Sequence, residues 1–387
     1  MEKKVKLGII GLGNMGSTHA KNLMEGLCPE IDLVAIADVK ESRREWAKEN
    51  LPETVAIFDD ALKMMDSGVV EAVIVSVPHY DHPTFAIEAF KRGIHVMVEK
   101  PAGVYTKQVR EMNEAAKKAD VVFGMMFNQR CHHTYRKMKE MLESGELGRI
   151  RRVSWLITAW YRNQAYYDSG DWRATWSGEG GGVLMNQAPH NLDMLQWLCG
   201  MPKTVETHMH FGKWHDIEVE DDVTTYMEFE NGATGVFITS TGDAPGNNRL
   251  EILTDKGRII SDDEVLIYDE LEMPEPEFQK VAVYGFASPK HTRIPVETDG
   301  KNEQHVGVLN AFAGAILRGE PLVASGEEGI NGLTLANAMH LSAFLGKKVE
   351  IPFDEDLYYE ELMKRVATSR RKENVTDVVF DTNNTYK

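Results

Sequence analysis

The run Gly11-Leu12-Gly13-Asn14-Met15-Gly16 constrains this chain more than any other feature, because it directly follows the apolar stretch Val5–Ile10 and opens an amphipathic one. A strand passing through three glycines into a helix is the context in which this spacing holds a dinucleotide. The first glycine makes a tight turn, the second lets the backbone approach a pyrophosphate, and the third lets helix and strand pack closely, while the helix N-terminus attracts negative charge. Gly11, Gly13, Asn14, Met15 and Gly16 are therefore expected to contact such a cofactor. Asp38 ends the next strand about 20 residues on, where a carboxylate bonds ribose hydroxyls and repels a 2′-phosphate, which favours NAD over NADP. Two competing readings stand beside this one: Asp38 caps the following helix, or Lys40, Arg43 and Arg44 hold a phosphate.

The pattern around the glycines extends the argument. Val5–Ile10, Leu33–Ala37, Ala72–Val77, His95–Val98 and Val121–Phe123 read as strands, and Ser17–Glu25, Ser42–Asn50, Pro83–Arg92 and Lys107–Lys118 carry apolar residues at helical spacing between them. This alternation predicts an N-terminal, doubly wound parallel sheet of Rossmann type over residues 1–124. A helix over 130–144 follows, and from Arg151 onward a different pattern begins. Arg151–Trp160, Thr204–Phe211, Asp222–Phe229, Thr234–Thr239, Arg249–Thr254 and Arg258–Ile260 read as strands, with Asn231-Gly232 and Lys256-Gly257 as turns. Residues 125–387 are thus expected to form an α+β domain, with an open, mostly antiparallel sheet, for substrate binding and oligomerisation. Helices are predicted at Glu303–Leu317, Gly326–Phe344 and Leu357–Thr368, and the polar end after Ser369 is expected to be loosely held.

The 387-residue chain is long enough for these two cores. Lys and Arg number 43 against 60 Asp and Glu, a net charge of −17 that disfavours nucleic acid. The apolar start is broken by Gly8, Gly11, Gly13 and Gly16, and no apolar run approaches the roughly 20 residues that span a bilayer, so no membrane partner and a cytoplasmic location are expected. Cys28, Cys131 and Cys199 lie far apart and read as packing residues. His132-His133 raises the question of a metal, but adjacent side chains on a helix diverge and no carboxylate completes a set, so no metal is expected.

Two further segments carry chemistry. Glu99-Lys100-Pro101 follows the strand His95–Val98, at an edge where ligands of open α/β sheets bind, and Lys100 there can polarise a hydroxyl or exchange a proton if burial lowers its pKa. The competing readings are an ion pair with Glu99 and a solvated loop lysine. Gly180-Gly181-Gly182 leads into Val183–Leu198, expected to be a helix whose Asn186, His190 and Asp193 share one face and which Pro189 distorts. His190 is matched by its ordinary pKa to take a proton from an alcohol, although a histidine so placed is more often structural.

Together, in order, these motifs resemble the Gfo/Idh/MocA family of oxidoreductases, and the resemblance spans nearly the whole chain. It implies that Lys100 and His190 flank nicotinamide and substrate, with Asp193 matching the final acid of the family's histidine motif. Where the family often has aspartate this chain has Asn186, an amide that binds a hydroxyl but cannot take its proton. Pro78-His79 resembles the family's turn near the cofactor ribose, and Asn128-Gln129-Arg130 its segment between domains. Cofactor contacts are accordingly expected from Pro78, His79, Glu99, Lys100 and Asn128, and catalytic roles from Lys100, His190 and Asn186.

The segment Trp160–Trp176 is dense in aromatics and charges, which suits the apolar faces and hydroxyl edges of a sugar or cyclic polyol. Trp160, Arg162, Trp172 and Arg173 are expected at the substrate, together with Lys100, Asn186 and His190. The competing reading packs several of these aromatics in an interface or a surface loop. The resemblance points to oxidation of a secondary ring hydroxyl of a sugar, glycoside or inositol by NAD, in a homodimer or homotetramer. Two alternatives stand beside it: redox-assisted glycoside cleavage with recycled NAD, and a nucleotide-binding regulator without catalysis.

Overall fold

The computed structural model describes residues 3–370, 372 and 375. In chain order its first part runs β1 (Val5–Ile10), α1 (Asn14–Met24), β2 (Ile31–Ala37), α2 (Glu41–Asn50), β3 (Ala56–Phe58), α3 (Ala61–Asp66), β4 (Ala72–Val75), α4 (His82–Lys91), β5 (His95–Val98), α5 (Thr106–Ala116) and β6 (Phe123–Met125). These strands form a parallel sheet in the order β3-β2-β1-β4-β5-β6. That order reverses at β1, and the crevice at such a switch point is where dinucleotides bind. Strands buried on both faces need no polar alternation, which is why Ala72–Val75 is apolar throughout. β3 spans three residues and α3 six, too few for periodicity to mark either in the sequence.

The chain continues with α6 (His133–Glu143), β7 (Ile150–Ile157), α7 (Gln164–Tyr167), α8 (Pro189–Cys199), β8 (Thr204–Phe211), β9 (Glu220–Glu228), β10 (Thr234–Ser240), β11 (Asn248–Thr254), β12 (Gly257–Asp262), β13 (Val265–Leu271), α9 (Glu275–Val281), β14 (His291–Pro295), α10 (Gln304–Arg318), α11 (Gly329–Leu345), β15 (Val349–Glu350) and α12 (Glu355–Val366). Nine strands make one open sheet, β14-β13-β12-β11-β7-β10-β9-β8-β15, antiparallel except for the β7–β10 pair. The expected α/β class, with a parallel sheet first and a mostly antiparallel one after it, is what the chain adopts. β13, β14 and β15 extend that sheet beyond the predicted strands; β14 is exposed along its whole length and so lacks the alternation that marks a half-buried strand.

Helix α10 packs back on the parallel sheet, its Val308, Leu309, Phe312 and Ala313 sharing one apolar cluster with Val5, Leu7 and Ile9 of β1. Arg318 at its end pairs with Glu30. The other face of that sheet, under α3, α4 and α5, is continuous with the core of the second sheet. Ser369 and Arg370 bond the Glu218 carboxylate and Lys372 Nζ bonds the Tyr167 carbonyl, so these three are tied down; Val375 is exposed, and the other residues of the segment expected to be loose lie outside the described residues. Among the described residues no helix is long and apolar enough to cross a membrane.

Candidate active site

The glycine turn after β1 is shaped by what it excludes. Gly11 sits at φ +89°, where a Cβ would lie 2.5 Å from the Ser76 carbonyl oxygen, and a Cβ on Gly16 would lie 1.9 Å from the Gly11 oxygen. Gly13 faces open space, with nothing within 4 Å of its Cβ position, and α1 begins there with no side-chain cap. Uncapped amides beside an open surface form a place for an anion, so the cradle fits a dinucleotide pyrophosphate. Asp38 ties this turn to β2: Leu12 N donates to its Oδ2 at 2.7 Å and Lys40 N to its Oδ1 at 2.8 Å. Arg44 is turned to the backbone carbonyls of Asp38 and Val39.

Pro78 leads from β4 into a short 3-10 turn that begins at His79. His79 Nδ1 donates to the Glu179 carbonyl at 3.1 Å, and its ring stands edge-on to Trp172 at 5.5 Å. Burial pushes its pKa well below the ordinary histidine range. Asn128, after β6, is fully buried and its amide donates to the Gln304 side chain.

Glu99 and Lys100 emerge from the end of β5. His19 Nε2 of α1 donates to Glu99 Oε1 at 2.6 Å, and the His305 ring lies 5.5 Å from that of His19. Burial opposes a charge on Glu99, yet the His19 bond and the His305 and Lys100 charges hold its pKa low, at about 2. Lys100 Nζ donates to the Asn186 backbone carbonyl at 2.7 Å. Burial lowers its pKa to about 8, with Glu99 and Glu179 opposing and Arg173 and Arg162 adding to the fall. Neither His19 nor His305 stood out in sequence; a histidine on the first helix carries no motif until the fold brings it to Glu99.

The second lobe meets these residues through the glycine run 180–182. Gly180 has φ +79°, and a Cβ on Gly182 would lie 1.9 Å from the Glu220 carbonyl oxygen. Glu220 Oε1 accepts from Gly182 N at 2.9 Å and Leu184 N at 3.0 Å, with His340 Nε2 3.1 Å from its other oxygen. The expectation of one helix from Val183 is corrected: α8 starts at Pro189, which occupies its first turn rather than distorting its interior. Proline lacks the N–H that an interior residue must donate, so the helix begins where that lack is harmless. Asn186 therefore lies on the turn before the helix and shares no helical face with His190 and Asp193.

His190 is buried, with Phe127 edge-on at 6.5 Å, and burial, followed by the Lys100 and His305 charges, drives its pKa well below the ordinary value. Three residues later the Asp193 carboxylate accepts two hydrogen bonds from Arg130, Nε to Oδ2 at 2.8 Å and Nη2 to Oδ1 at 2.7 Å. The paired histidines also differ from expectation: His132 is the N-cap of α6, outside the helix, so its ring stacks on His133 at 4.5 Å instead of diverging. Among the described residues no group of three or more His, Cys, Asp or Glu is arranged to hold a metal.

The aromatic segment divides into two parts. Trp160 packs into the core and donates Nε1 to Asn191 Oδ1 at 3.0 Å, and Trp176 is buried against Phe344. Arg162 and Arg173 instead lie over the Tyr166 ring at 5.2 and 4.7 Å, and Arg173 also lies 4.7 Å from the Trp172 ring. The Tyr166 hydroxyl accepts from Arg173 at 2.9 Å and from Gln187 at 3.2 Å, which sets this cluster beside Asn186.

Comparison with known proteins finds family matches in both parts of the chain. A model of an oxidoreductase family with an NAD-binding Rossmann fold matches residues 5–127, and one of the GFO/IDH/MocA C-terminal domain matches residues 135–260. The chain is similar to the myo-inositol 2-dehydrogenase of Thermotoga maritima, 28% identical over 363 residues that cover 91% of this chain and 99% of the relative. It is similar to the D-glucoside 3-dehydrogenase of Escherichia coli, 28% identical over 247 residues covering 59% and 68% of the two chains. The WlbA dehydrogenase of Bordetella pertussis, solved with NADH and UDP-GlcNAcA, superposes with a TM-score of 0.75 at 26% identity, covering 91% of this chain and all of the other.

Proposed function

Because the chain belongs to the Gfo/Idh/MocA family of oxidoreductases, through both its N-terminal and C-terminal domain models, we propose that it oxidises a secondary ring hydroxyl of a sugar, glycoside or inositol with NAD. The observation that carries the reading is Lys100: it leaves β5 at the carboxyl edge of the nucleotide-binding sheet and bonds the backbone of Asn186 in the other lobe, beside the arginine and aromatic cluster. The named substrates of the dehydrogenases above, an inositol and a glucoside, support the substrate class.

In this reading Gly11, Gly13, Asn14, Met15 and Gly16 hold the pyrophosphate and Asp38 the adenosine ribose, with Pro78, His79, Glu99, Lys100 and Asn128 toward the nicotinamide. A bound nicotinamide supplies the hydride acceptor. Oxidation also releases the hydroxyl proton, and His190, kept neutral by burial, accepts it. Lys100 assists by polarising the same oxygen, and with its pKa at about 8 it passes a proton onward under mildly alkaline conditions. Asn186 orients the ring through its amide, and Arg162, Trp172 and Arg173 shape the pocket, while the buried Trp160 braces α8 through Asn191. The exposed face of the second sheet, with Tyr226 and Leu253 outward, suits a homodimer or homotetramer.

The test mixes purified protein with NAD or NADP and a panel of inositols, pyranoses and alkyl glucosides at mildly alkaline pH, following reduced-nicotinamide absorbance. NAD-dependent growth with one ring class, lost in Lys100→Ala, supports the dehydrogenase. Cleavage of a glycoside without net reduced cofactor would replace it with redox-neutral elimination, and nucleotide binding without turnover of any ring would sink the enzymatic reading.

A further inference from the structure

Glu179 belongs to none of the motifs, yet it is 2% exposed and lies where the two lobes meet. Ala174 N donates to its Oε2 at 2.6 Å, and the Asn186 side-chain amide donates to its Oε1. Asn186 is thus held at both ends, by Lys100 on its backbone carbonyl and by Glu179 on its NH2 group. With the NH2 bound to a carboxylate, Oδ1 is the end of the amide left to accept from a substrate hydroxyl.

Charge leads to the same residue. Lys100 shares its surroundings with Arg162 and Arg173, whose guanidinium groups donate to the Tyr161 carbonyl and the Tyr166 hydroxyl. Lys372 lies on the same side, near Arg173 and Glu179. Of the two carboxylates acting on Lys100, Glu99 is engaged by His19, which leaves Glu179 as the second counter-charge; burial raises the Glu179 pKa, opposed by Arg173, the Ala174 and Asn186 bonds and Lys100, while His79 and His190 are held neutral by burial. An amide at 186 cannot supply that charge.

We propose that Glu179 is the positioning carboxylate of the catalytic centre, setting the Asn186 amide toward the substrate and supplying the negative charge that lets Lys100 hold a proton. The proposal rests on the oxidoreductase reading, and its test includes an arm that needs no substrate. Glu179→Gln keeps an acceptor for Ala174 N but presents an NH2 group to that of Asn186, so the Asn186 amide must turn over. The exchange E179Q/N186D reverses donor and acceptor across the same contact and restores the net charge.

The Gln variant is expected to lose kcat by about tenfold or more with KM within about threefold, and to move the rise of oxidation rate with pH to lower pH by about 1. The exchange is expected to recover most of kcat and return the pH profile. Without any substrate, the pH dependence of Lys100 labelling by an amine-reactive reagent, read by mass spectrometry, should shift the same way in Glu179→Gln while nucleotide binding by fluorescence stays intact. Unchanged kcat and an unchanged labelling profile would overturn the proposal. So would a loss of activity with neither profile moved and no recovery on exchange, the signature of a carboxylate that only staples its loop. If no ring compound is turned over at all, the labelling arm still decides for or against Glu179.

Discussion

Replacing Asp193 by Asn should both destabilise the protein and slow it. Arg130 and Asp193 are almost fully buried, 2% and 0% exposed at their side chains, and share two hydrogen bonds. Burial holds the Asp193 carboxyl above its ordinary range even against Arg130, so the pair gains little over an apolar one but is costly to break. Removing one partner of such a pair costs about 3–5 kcal/mol. Glu328, 3.0 Å from Arg130 Nη1, and the Phe127 and Trp197 rings, 5.5 and 5.2 Å from its guanidinium carbon, still face the remaining charge. The lower end, about 3 kcal/mol, is therefore expected, and at about 2–4 °C per kcal/mol it lowers Tm by roughly 6–12 °C. Because His190 lies one turn away on α8, kcat should fall with it. Thermal unfolding by circular dichroism with initial rates on the same samples checks both. The double replacement Arg130→Met with Asp193→Leu should recover Tm without recovering the rate. A Tm within about 2 °C of wild type for Asp193→Asn would refute the reasoning, since no buried charge would then have been left unpaired.

Gly16→Ala should weaken NADH binding by about 100-fold or more, about 3 kcal/mol, because its methyl group meets the Gly11 carbonyl; fluorescence titration measures this. Asp38→Ala should lower the NAD-to-NADP ratio of kcat/KM by about tenfold or more, and an unchanged ratio would remove Asp38 from cofactor choice. Only deprotonated Lys100 can pass on the proton that His190 takes, so its lowered pKa places the rise of oxidation rate near pH 8, with activity lost as pH falls below it. A rise centred near the 10.5 of an ordinary lysine would show that Lys100 is solvated in the working enzyme.

The parts legible in sequence were those whose physics is local. The glycine turn announces itself because excluded Cβ atoms and a following helix are short-range facts, and Glu99-Lys100 because a strand end fixes its place. Asn186 was misplaced on a helix because the apolar run through Val183 and Leu184 looks the same whether it coils or turns; the deciding factor was the tight packing of the 180–182 glycines on Glu220, 38 residues away. His19, 80 residues from Glu99, and Arg130, 63 from Asp193, reach their partners only through the fold. Glu179 carried one faint sign, a carboxylate abutting a glycine run.

The return of α10 to the parallel sheet sets an order on the making of the protein. When a ribosome has released residue 127 every strand of that sheet exists, but Val5, Leu7 and Ile9 lack the cover that Val308, Leu309, Phe312 and Ala313 provide. About 190 further residues must be translated before that cover arrives, roughly 10–40 s at 5–20 residues per second. During that interval the nascent nucleotide-binding half shows an unfinished apolar face to chaperones and to its neighbours on the polysome.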